Sequence, residues 1–337
     1  MYTDKYTPPY EITDIISNQL VEIGELVGIY HGGLKSASIP HLRKDNKIQT
    51  VFSSLAIENN QLSEEQVSAL LEGKRVLGKQ KDILEVQNAF RVYDMLSDLD
   101  PYSEQDFLKA HEVLTENLVF QAGNYRKGEV GVFQGDAVIH MGSPADLVPH
   151  LMNQLFTWLK TSRAHPLIKS CVFHYEMVFI HPFEDGNGRI ARLWQSNILR
   201  LWNPVFEFLP VETLVYENQE DYYKAIQISD HEGNSTAFIE FMLNMISKAL
   251  KEASVKNFND VNIDVNPDVN KQDLAERILN LIEQSPKIRI KDIHKQLGIS
   301  ASTVDRRIAE LKKAGILIRK GNKRSGEWIV IKHTSQK

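Results

Sequence analysis

Residues 181–192 read HPFEDGNGRIAR, and this stretch decides the fold. Two glycines flank Asn187, and a helix is expected to begin near Arg189. A turn of this kind points consecutive backbone N–H groups into one concavity, and the helix adds its positive N-terminal end. The stretch therefore predicts an anion-binding loop at the start of a helix.

The charged side chains of this stretch have separate chemical abilities. Arg189 and Arg192 are three residues apart, so on a helix they share a face and can both bind a polyphosphate with bidentate guanidinium groups. Asp185 stands before the loop, where a carboxylate suits a Mg²⁺ that bridges phosphate oxygens. A histidine ordinarily titrates near neutrality, so His181 can accept a proton from an attacking hydroxyl. The alternative is a helix cap with solvated arginines, which explains one glycine but not the ordered set.

The stretch resembles the H-x-F-x-[DE]-G-N-G-R-x-x-R signature of Fic proteins, and every defined position is filled. The resemblance implies a mainly α fold, with a Fic-type helical core and a β-hairpin flap. It implies transfer of the AMP part of ATP to a hydroxyl of a target protein, with pyrophosphate as the leaving group. By the same resemblance, His181 deprotonates the hydroxyl and Asp185 binds Mg²⁺. The phosphates of ATP are expected to bind Gly186, Asn187, Gly188, Arg189 and Arg192.

Two other kinds of site are disfavoured by spacing. His174 and His181 are seven residues apart, without an HExxH motif or paired cysteines, which argues against a zinc site. We expect His174 in the core or behind the site. The loop also lacks the G-x-x-x-x-G-K-[ST] pattern of a P-loop.

A second motif lies upstream, where residues 53–60 read SSLAIENN on a predicted helix. A serine and a glutamate four residues apart occur in many helices, so alone the pattern is weak. It resembles the [ST]-x-x-x-E-[GN] inhibitory motif of regulated Fic proteins, with Ser54, Glu58 and Asn59 at its defined positions. In the family a glycine more often stands where this chain has Asn59. The resemblance implies that Glu58 pairs with Arg192, which occupies the γ-phosphate site and repels the anion.

The segment between the two motifs predicts a β-hairpin. A turn at residues 123–126 precedes two apolar runs, residues 130–133 and 137–140. In Fic proteins a hairpin at this place binds the target by strand addition. The resemblance assigns this docking role to Val130, Gly131, Val132 and Phe133. The alternative is an ordinary surface hairpin.

Two tyrosines follow the motif. The segment around Tyr222 and Tyr223 resembles the region in which family members line the adenine pocket. The alternative is that they are core residues.

Length and composition favour an intracellular protein of about two domains. The chain has 337 residues, and Cys171 is its single cysteine, so no intrachain disulfide can form. The N-terminus lacks the pattern of a signal peptide, and no apolar run approaches the roughly 20 residues of a membrane span. We therefore expect a cytoplasmic protein without a membrane partner.

Charge divides the chain into two parts. Residues 271–337 contain 16 lysines and arginines against 7 acidic residues, a net charge of +9, whereas the rest carries −14. Amphipathic helical patterns dominate the acidic part, at residues 66–72, 83–96, 146–159, 168–179 and 238–250. We predict these domains: an N-terminal helical region (1–100), a Fic core (101–256), a linker without helical periodicity (257–270) and a basic domain (271–337).

The basic domain is similar to a small winged-helix (α+β) domain. Helical patterns at 273–284, 290–298 and 300–314 are followed by two apolar runs around a basic turn at 321–326. The helices at 290–298 and 300–314 form a helix-turn-helix, and the basic turn at 321–326 is the tip of the wing. If the domain binds DNA, the helix at 300–314 faces the major groove and the wing contacts phosphates. The residues expected to do so are Ser302, Thr303, Arg306, Arg307, Lys323 and Arg324. The alternative is protein contact, including formation of a homodimer.

Two classes of function follow. The leading hypothesis is an autoinhibited protein adenylyltransferase acting on a target hydroxyl or on itself. The alternative is a nucleotide-sensing transcriptional regulator that acts through the winged helix. The presence of His181 favours the enzyme, because a nucleotide sensor can bind ATP without a general base. Within the enzyme class, removal of AMP from modified protein stays open, with Glu58 orienting water.

Overall fold

The computed structural model describes residues 6–33, 39–134, 137–209, 211–264, 267–297, 301–313, 315–320 and 327–330. The chain divides into two compact units between Asn257 and Phe258. The first unit is mainly α with a β-hairpin, and the second is a winged helix, so the predicted fold class is confirmed. Within these residues, every helix is either too short or too polar to span a bilayer.

The first unit holds helices α1 to α10, most of α11, and the hairpin. The helices α1 to α5 span Asp14–Gly33, Ile39–Ala56, Glu64–Leu71, Gln80–Asp94 and Glu104–Leu114. The antiparallel strands β1 and β2 follow, at Gly131–Gln134 and Ala137–Met141. The helices α6 to α11 span Val148–Thr161, Pro166–Ile180, Asn187–Trp202, Val211–Glu217, Gln219–Glu232 and Thr236–Asp264. All five helical patterns of the sequence overlap helices, namely α3, α4, α6, α7 and α11.

The core holds α7 and α8 against each other. Most of α7 is buried, because its apolar residues are spread around the helix rather than confined to one face. The amphipathic helix α8 turns Ile190, Leu193 and Trp194 inward. The ring of Phe107 on α5 contacts four other aromatic rings, those of Phe156, Phe173, Phe183 and Trp194. This packing holds both ends of the α7–α8 loop, residues 181–186.

Two expectations about helix ends are corrected. The helix of the upstream motif, α2, ends at Ala56, so Glu58 and Asn59 lie in a turn rather than on the helix. Residues 257–270 were expected to lack helix, but α11 continues to Asp264 and the next helix begins at Pro267. Asn, Asp and Val are weak helix formers, yet extending an existing helix by such residues costs under about 1 kcal/mol each. Pro267 starts a helix rather than interrupting one, as proline does in a first turn.

The second unit has the predicted winged-helix order. Helices α12, α13 and α14 span Pro267–Gln284, Ile290–Leu297 and Ala301–Lys313, and the antiparallel strands β3 and β4 span Leu317–Lys320 and Glu327–Val330. Its core includes Ile278, Ile282, Ile293, Val304, Ile308, Leu311, Leu317 and Trp328. The guanidinium of Arg319 lies 4.7 Å from the centre of the Trp328 ring. Lys323 and Arg324 lie outside the described residues.

Candidate active site

The α7–α8 loop reverses the chain with two left-handed residues. His181 ends α7 with φ 54° and ψ 61°, and Gly186 precedes α8 with φ 84°. The side chain of Asn187 closes the loop, because its Oδ1 accepts from Phe183 N at 2.9 Å and its Nδ2 donates to Phe183 O at 2.8 Å. The Asn187 amide is thus used inside the loop, and its backbone N–H is what it can offer to an anion. His181 is half-buried, a few residues from the start of α8.

A buried arginine anchors the end of α7, and sequence analysis missed its role. Arg126 is 2 % exposed. Its Nε donates to His181 O at 2.7 Å, its Nη1 to Gly128 O at 2.8 Å and its Nη2 to Ser143 O. A cation that donates to carbonyls at a helix C-terminus is favourably placed. Arg126 therefore joins the hairpin's two ends to the residue expected to act as base.

A buried histidine supports the loop from behind, and nothing in the sequence pattern indicated it. His111 on α5 accepts from Gly123 N through Nδ1 at 3.0 Å. The ring proton is then on Nε2, which donates to Asp185 O at 3.0 Å. The imidazole stacks on Phe183, with ring centres 3.6 Å apart. Burial lowers the pKa of His111 to about 4, so the ring is neutral at physiological pH.

The first turn of α8 combines backbone donors with a buried cation. The N–H groups of Asn187, Gly188 and Arg189 lie in this turn, where a helix leaves them without intrahelical acceptors. Arg189 donates from Nη2 to Asp185 Oδ1 at 2.8 Å and from Nη1 to Glu85 Oε1 at 3.3 Å. Its Nε is buried and has no hydrogen-bond partner among the described residues. An unused buried donor beside unused N–H groups suits an anion.

The carboxylate of Asp185 is ionised at neutral pH. Burial raises its pKa, but the charge of Arg189 and the hydrogen bonds from Gly186 N and Arg189 outweigh that effect and hold the pKa below its usual range. The side chain remains 44 % exposed, so it is open to a ligand. Asp185 lies beside the first turn of α8, and metal binding by its carboxylate stays a prediction.

The expected pair of Glu58 and Arg192 is present. Arg192 Nη2 donates to Glu58 Oε1 at 2.8 Å and to Ser54 O at 2.9 Å, and its Nε donates to Ser54 Oγ at 3.1 Å. Burial lowers the pKa of Arg192, but the charge and hydrogen bond of Glu58, together with the neighbouring Tyr222 and Tyr223, outweigh burial, so the net shift is upward. Both Ser54 and Glu58 of the upstream motif thus bind the second arginine of the downstream one.

The carboxylate of Glu58 also lies against the backbone of α8. A methyl group added at Gly188 would be 2.3 Å from Glu58 Oε1, so only a glycine admits this approach. Asn59 follows with φ 64°, a left-handed conformation that asparagine tolerates better than most residues other than glycine. That conformation explains in physical terms why asparagine stands where the family more often has glycine.

Comparison with known proteins identifies the chain. The model of the Fic/DOC family matches residues 101–199. The crystal structure of a Fic family protein from Desulfovibrio desulfuricans G20 is 39 % identical, covers 98 % of this chain and 100 % of its own, and superposes with a TM-score of 0.73. The chain belongs to the Fic family.

Curated relatives of this Fic protein are named protein adenylyltransferase Fic. The one from Nematostella vectensis is 30 % identical over 62 % of this chain and 49 % of its own length, and the one from Aedes aegypti is 27 % identical over 63 % and 43 %. The chain spans less than half the length of these two relatives. A second model, winged helix-turn-helix DNA-binding, matches residues 271–318.

The two tyrosines after the Fic motif lie in different environments. Tyr222 is 2 % exposed, and its hydroxyl lies 3.0 Å from His174 Nε2, while His174 Nδ1 lies 2.6 Å from Gln195 Oε1. Burial lowers the pKa of His174 to about 3, as expected of a neutral core histidine. Tyr222 is therefore a core residue here, because packing and its hydrogen bond cover it. Tyr223 is 42 % exposed, and contact with a nucleotide base stays a prediction for it.

The Fic flap is described through its backbone. Strands β1 and β2 pair antiparallel, with an irregularity between Val132 and Phe133. Gly142 N donates to Val130 O at 3.1 Å and continues the pairing towards Arg126. Among the described residues β1 pairs with β2 alone, which leaves its other edge available for an added strand. Docking of a target at residues 130–133 stays a prediction.

Proposed function

We propose that this Fic protein is an autoinhibited protein adenylyltransferase that moves AMP from ATP to a hydroxyl side chain of a target protein or of itself. The names of the curated relatives support AMP transfer. The observation that carries the proposal is the position of Glu58. Its carboxylate lies between Arg192 and the first turn of α8, so the place where the motif would bind a phosphate already attracts an anion of the chain itself.

In this proposal the motif residues position the substrate and move one proton. The phosphates of ATP bind the N–H groups of the first turn of α8 together with Arg189 and Arg192. His181 accepts the proton of the target hydroxyl, whose oxygen forms a bond to the α phosphorus. The bond between that phosphorus and the bridging oxygen breaks, and pyrophosphate leaves with the electron pair.

The residues present suit a magnesium ion held mainly by substrate. Asp185 is ionised and partly exposed, and no group of three or more His, Cys, Asp or Glu side chains within the described ranges could hold a metal by itself. One carboxylate plus phosphate oxygens is a usual set for Mg²⁺. When bound, Mg²⁺ would neutralise charge on the departing pyrophosphate.

The same arrangement supports autoinhibition. Glu58 accepts from Nη2 of Arg192 and places a negative charge where the γ phosphate is expected. ATP must therefore compete with Glu58 or bind with its phosphates misplaced. Arg192 is the shared residue, so the proposal predicts that removing Glu58 and removing Arg192 have opposite effects on AMP transfer.

Incubation with labelled ATP, followed by mass spectrometry of the intact protein, tests this function. Wild-type protein should modify itself slowly and Glu58→Gly much faster, because the guanidinium is freed and a negative charge is removed. Glu58→Gly combined with Arg192→Ala should again be slow. The matched control is Glu64→Gln, which removes one exposed carboxylate from the start of α3. If Glu58→Gly, shown to be folded, transfers no AMP to itself or to added proteins, the proposed function is wrong.

The same site could instead catalyse the removal of AMP from modified protein. The Glu58 side chain is 35 % exposed, so one carboxylate can contact water as well as Arg192. If removal dominates, wild-type protein should release AMP from protein modified by the Glu58→Gly variant, and Glu58→Gly should not. Measuring released AMP separates the two directions.

The winged-helix unit supports a second candidate, DNA binding by a cytoplasmic nucleotide-sensing regulator. Arg306 is exposed on α14, the second helix of the helix-turn-helix, whereas Arg307 pairs with Glu310 on the same helix. If the unit binds DNA, the affinity of the full chain should fall steeply with salt, because lysines and arginines release counterions. Arg306→Ala should weaken binding, whereas Arg277→Ala, an exposed arginine on α12, should not. Salt-independent or absent binding would favour protein contact or dimerisation.

A further inference from the structure

The turn that carries Glu58 has a second side chain aimed into the first unit. Asn60 directs its amide towards α4, where Nδ2 donates to Glu85 Oε2 at 2.8 Å and to Asp82 O at 3.1 Å. Its Oδ1 accepts from Leu62 N at 3.1 Å. Asn60 is thus held from two sides, although it lies in an irregular segment between α2 and α3.

The partner of Asn60 is also a partner of the Fic motif. Glu85 is 6 % exposed. Its Oε1 accepts from Arg189 Nη1 at 3.3 Å and lies 3.8 Å from Nζ of the exposed Lys81, while its Oε2 accepts from Asn60. One buried carboxylate therefore bridges the segment that carries Glu58 and the first arginine of the motif.

Two side chains of the turn, two residues apart, are thus held by the rest of the unit, and Gln219 and Asp82 add hydrogen bonds to the backbone of Ile57 and Gln61. Glu58 is held by Arg192, and Asn60 is held through Glu85 to Arg189. Between them, Asn59 has the left-handed conformation with φ 64°, which keeps the turn tight. In so short a segment the position of the Glu58 backbone depends on where Asn60 is held.

We propose that Asn60 and Glu85 are positioning residues that latch the Glu58 turn against both arginines of the motif. The latch acts through Glu58, so this inference rests on the proposed function. A hydrogen bond to a charged group typically contributes enough stability to change an equilibrium about tenfold or more. Loss of the Asn60–Glu85 bond should increase the population of the released turn by that order.

The chemistry of the pair permits an exchange of donor and acceptor. Asn60→Asp places a carboxylate against Glu85, and Glu85→Gln cannot accept from both Asn60 and Arg189, because one end of an amide is a donor. Either change should break the latch. When both changes are combined, the new amide at position 85 can donate to the new carboxylate at position 60 while the amide oxygen accepts from Arg189. The contact is then restored with the same total charge. The carbonyl of Asp82 still faces the new carboxylate, so we expect the restoration to be partial.

The experiment measures the rate of AMP transfer by each variant in two backgrounds, one with Glu58 and one with the Glu58→Gly change. The ratio of interest is the rate with Glu58 present divided by the rate with Glu58→Gly. Asn60→Asp should raise this ratio about tenfold or more. It should leave the rate in the Glu58→Gly background unchanged, because the latch acts only through Glu58. The double exchange should lower the ratio again, and Glu64→Gln is the control for loss of one carboxylate. A purely structural role would instead lower the rate in both backgrounds and leave the ratio unchanged, and that result would overturn the proposal.

Amide hydrogen exchange of residues 57–61 tests the latch without any chemistry. Asn60→Asp should speed exchange there in nucleotide-free protein, and the double exchange should slow it again. Equal protection in wild type and Asn60→Asp would overturn the latch. If Glu58→Gly itself transfers no AMP, the proposed function fails, and the exchange measurement still decides on the latch separately.

Discussion

The α7–α8 loop and the turn after α2 meet at the same pair of arginines, but different kinds of contact hold them. The loop is closed mainly from within and from its flanks: Asn187 bonds the backbone of Phe183, and Asp185 pairs with Arg189 four residues later. The turn after α2 depends on distant residues. Glu58 needs Arg192, and Asn60 needs Glu85.

This difference implies that the two regions respond differently to perturbation. The loop is closed by its own residues and is also backed by Arg126 and His111, so several contacts must be lost before it opens. The turn is held by side-chain hydrogen bonds to α4, α8 and α10, and it can leave without unfolding any of these helices. The arrangement therefore suits a rigid binding loop with a releasable inhibitor beside it.

The largest effect should follow from removing the base of the loop. In the Glu58→Gly background, His181→Ala should lower AMP transfer by roughly 10²- to 10⁴-fold, the usual contribution of general base catalysis. ATP binding should survive, because the phosphate donors are other groups. Single-turnover rates and nucleotide titration measure the two separately. An unchanged rate would remove His181 from the mechanism.

Removing the carboxylate of Asp185 should have the next largest effect on AMP transfer. Asp185→Ala in the same background should lower AMP transfer by about 10²-fold and abolish the response to added Mg²⁺, because the neutralisation of the leaving group is lost. The matched control is Glu184→Ala, which removes the exposed neighbouring carboxylate. Equal losses in both variants would mean that the charge of the segment matters rather than a metal ligand.

The free energy of unfolding should depend on pH because of His111, which supports the α7–α8 loop. The ordinary pKa of a histidine is 6.5, and burial lowers that of His111 to about 4. Between these values the unfolded chain binds a proton that the folded chain does not, so stability falls as pH falls from about 6.5 to about 4. The shift corresponds to roughly 3 kcal/mol of unfolding free energy. Urea unfolding of wild type and His111→Gln should therefore converge in this window, whereas parallel curves would contradict the assignment.

The smallest effect should come from the turn's backbone. Asn59→Ala places alanine at φ 64°, which costs roughly 1 kcal/mol, whereas Asn59→Gly removes that strain. With Glu58 intact, the alanine variant should transfer AMP about fivefold faster than the glycine variant. Equal rates would show that the side-chain contacts of Glu58 and Asn60 fix the turn whatever its backbone prefers.

Sequence reasoning reached the contiguous parts of the site and missed those assembled across the fold. The loop and both arginines were predicted because their chemistry is written within residues 181–192. The Glu58–Arg192 pair was expected only through a family resemblance. Arg126, His111 and Glu85 carry no local pattern: each is a single polar residue whose role depends on burial and on partners dozens of residues away.

Helix ends were harder to predict than helices. Apolar periodicity placed α4 and α6, since their apolar faces pack into the core. It could not tell that α2 ends at Ala56, where a left-handed asparagine follows shortly after, or that α11 continues through polar residues to Asp264. Tyr222 was assigned to the nucleotide because a buried and an exposed tyrosine look alike in sequence.

Arg126 fixes the position of the hairpin relative to His181 at the end of α7. The distance along an added strand would therefore decide which of its residues reaches the histidine. The Arg126 guanidinium joins Gly128 O and Ser143 O, on either side of the flap, to His181 O. A peptide strand added to the hairpin would advance about 3.3 Å per residue past a fixed histidine, with side chains alternating between faces. A slip of one residue would turn the hydroxyl away, and a slip of two would move it by roughly 7 Å. Choice of the modified residue would then be a matter of register rather than of side-chain recognition at the base.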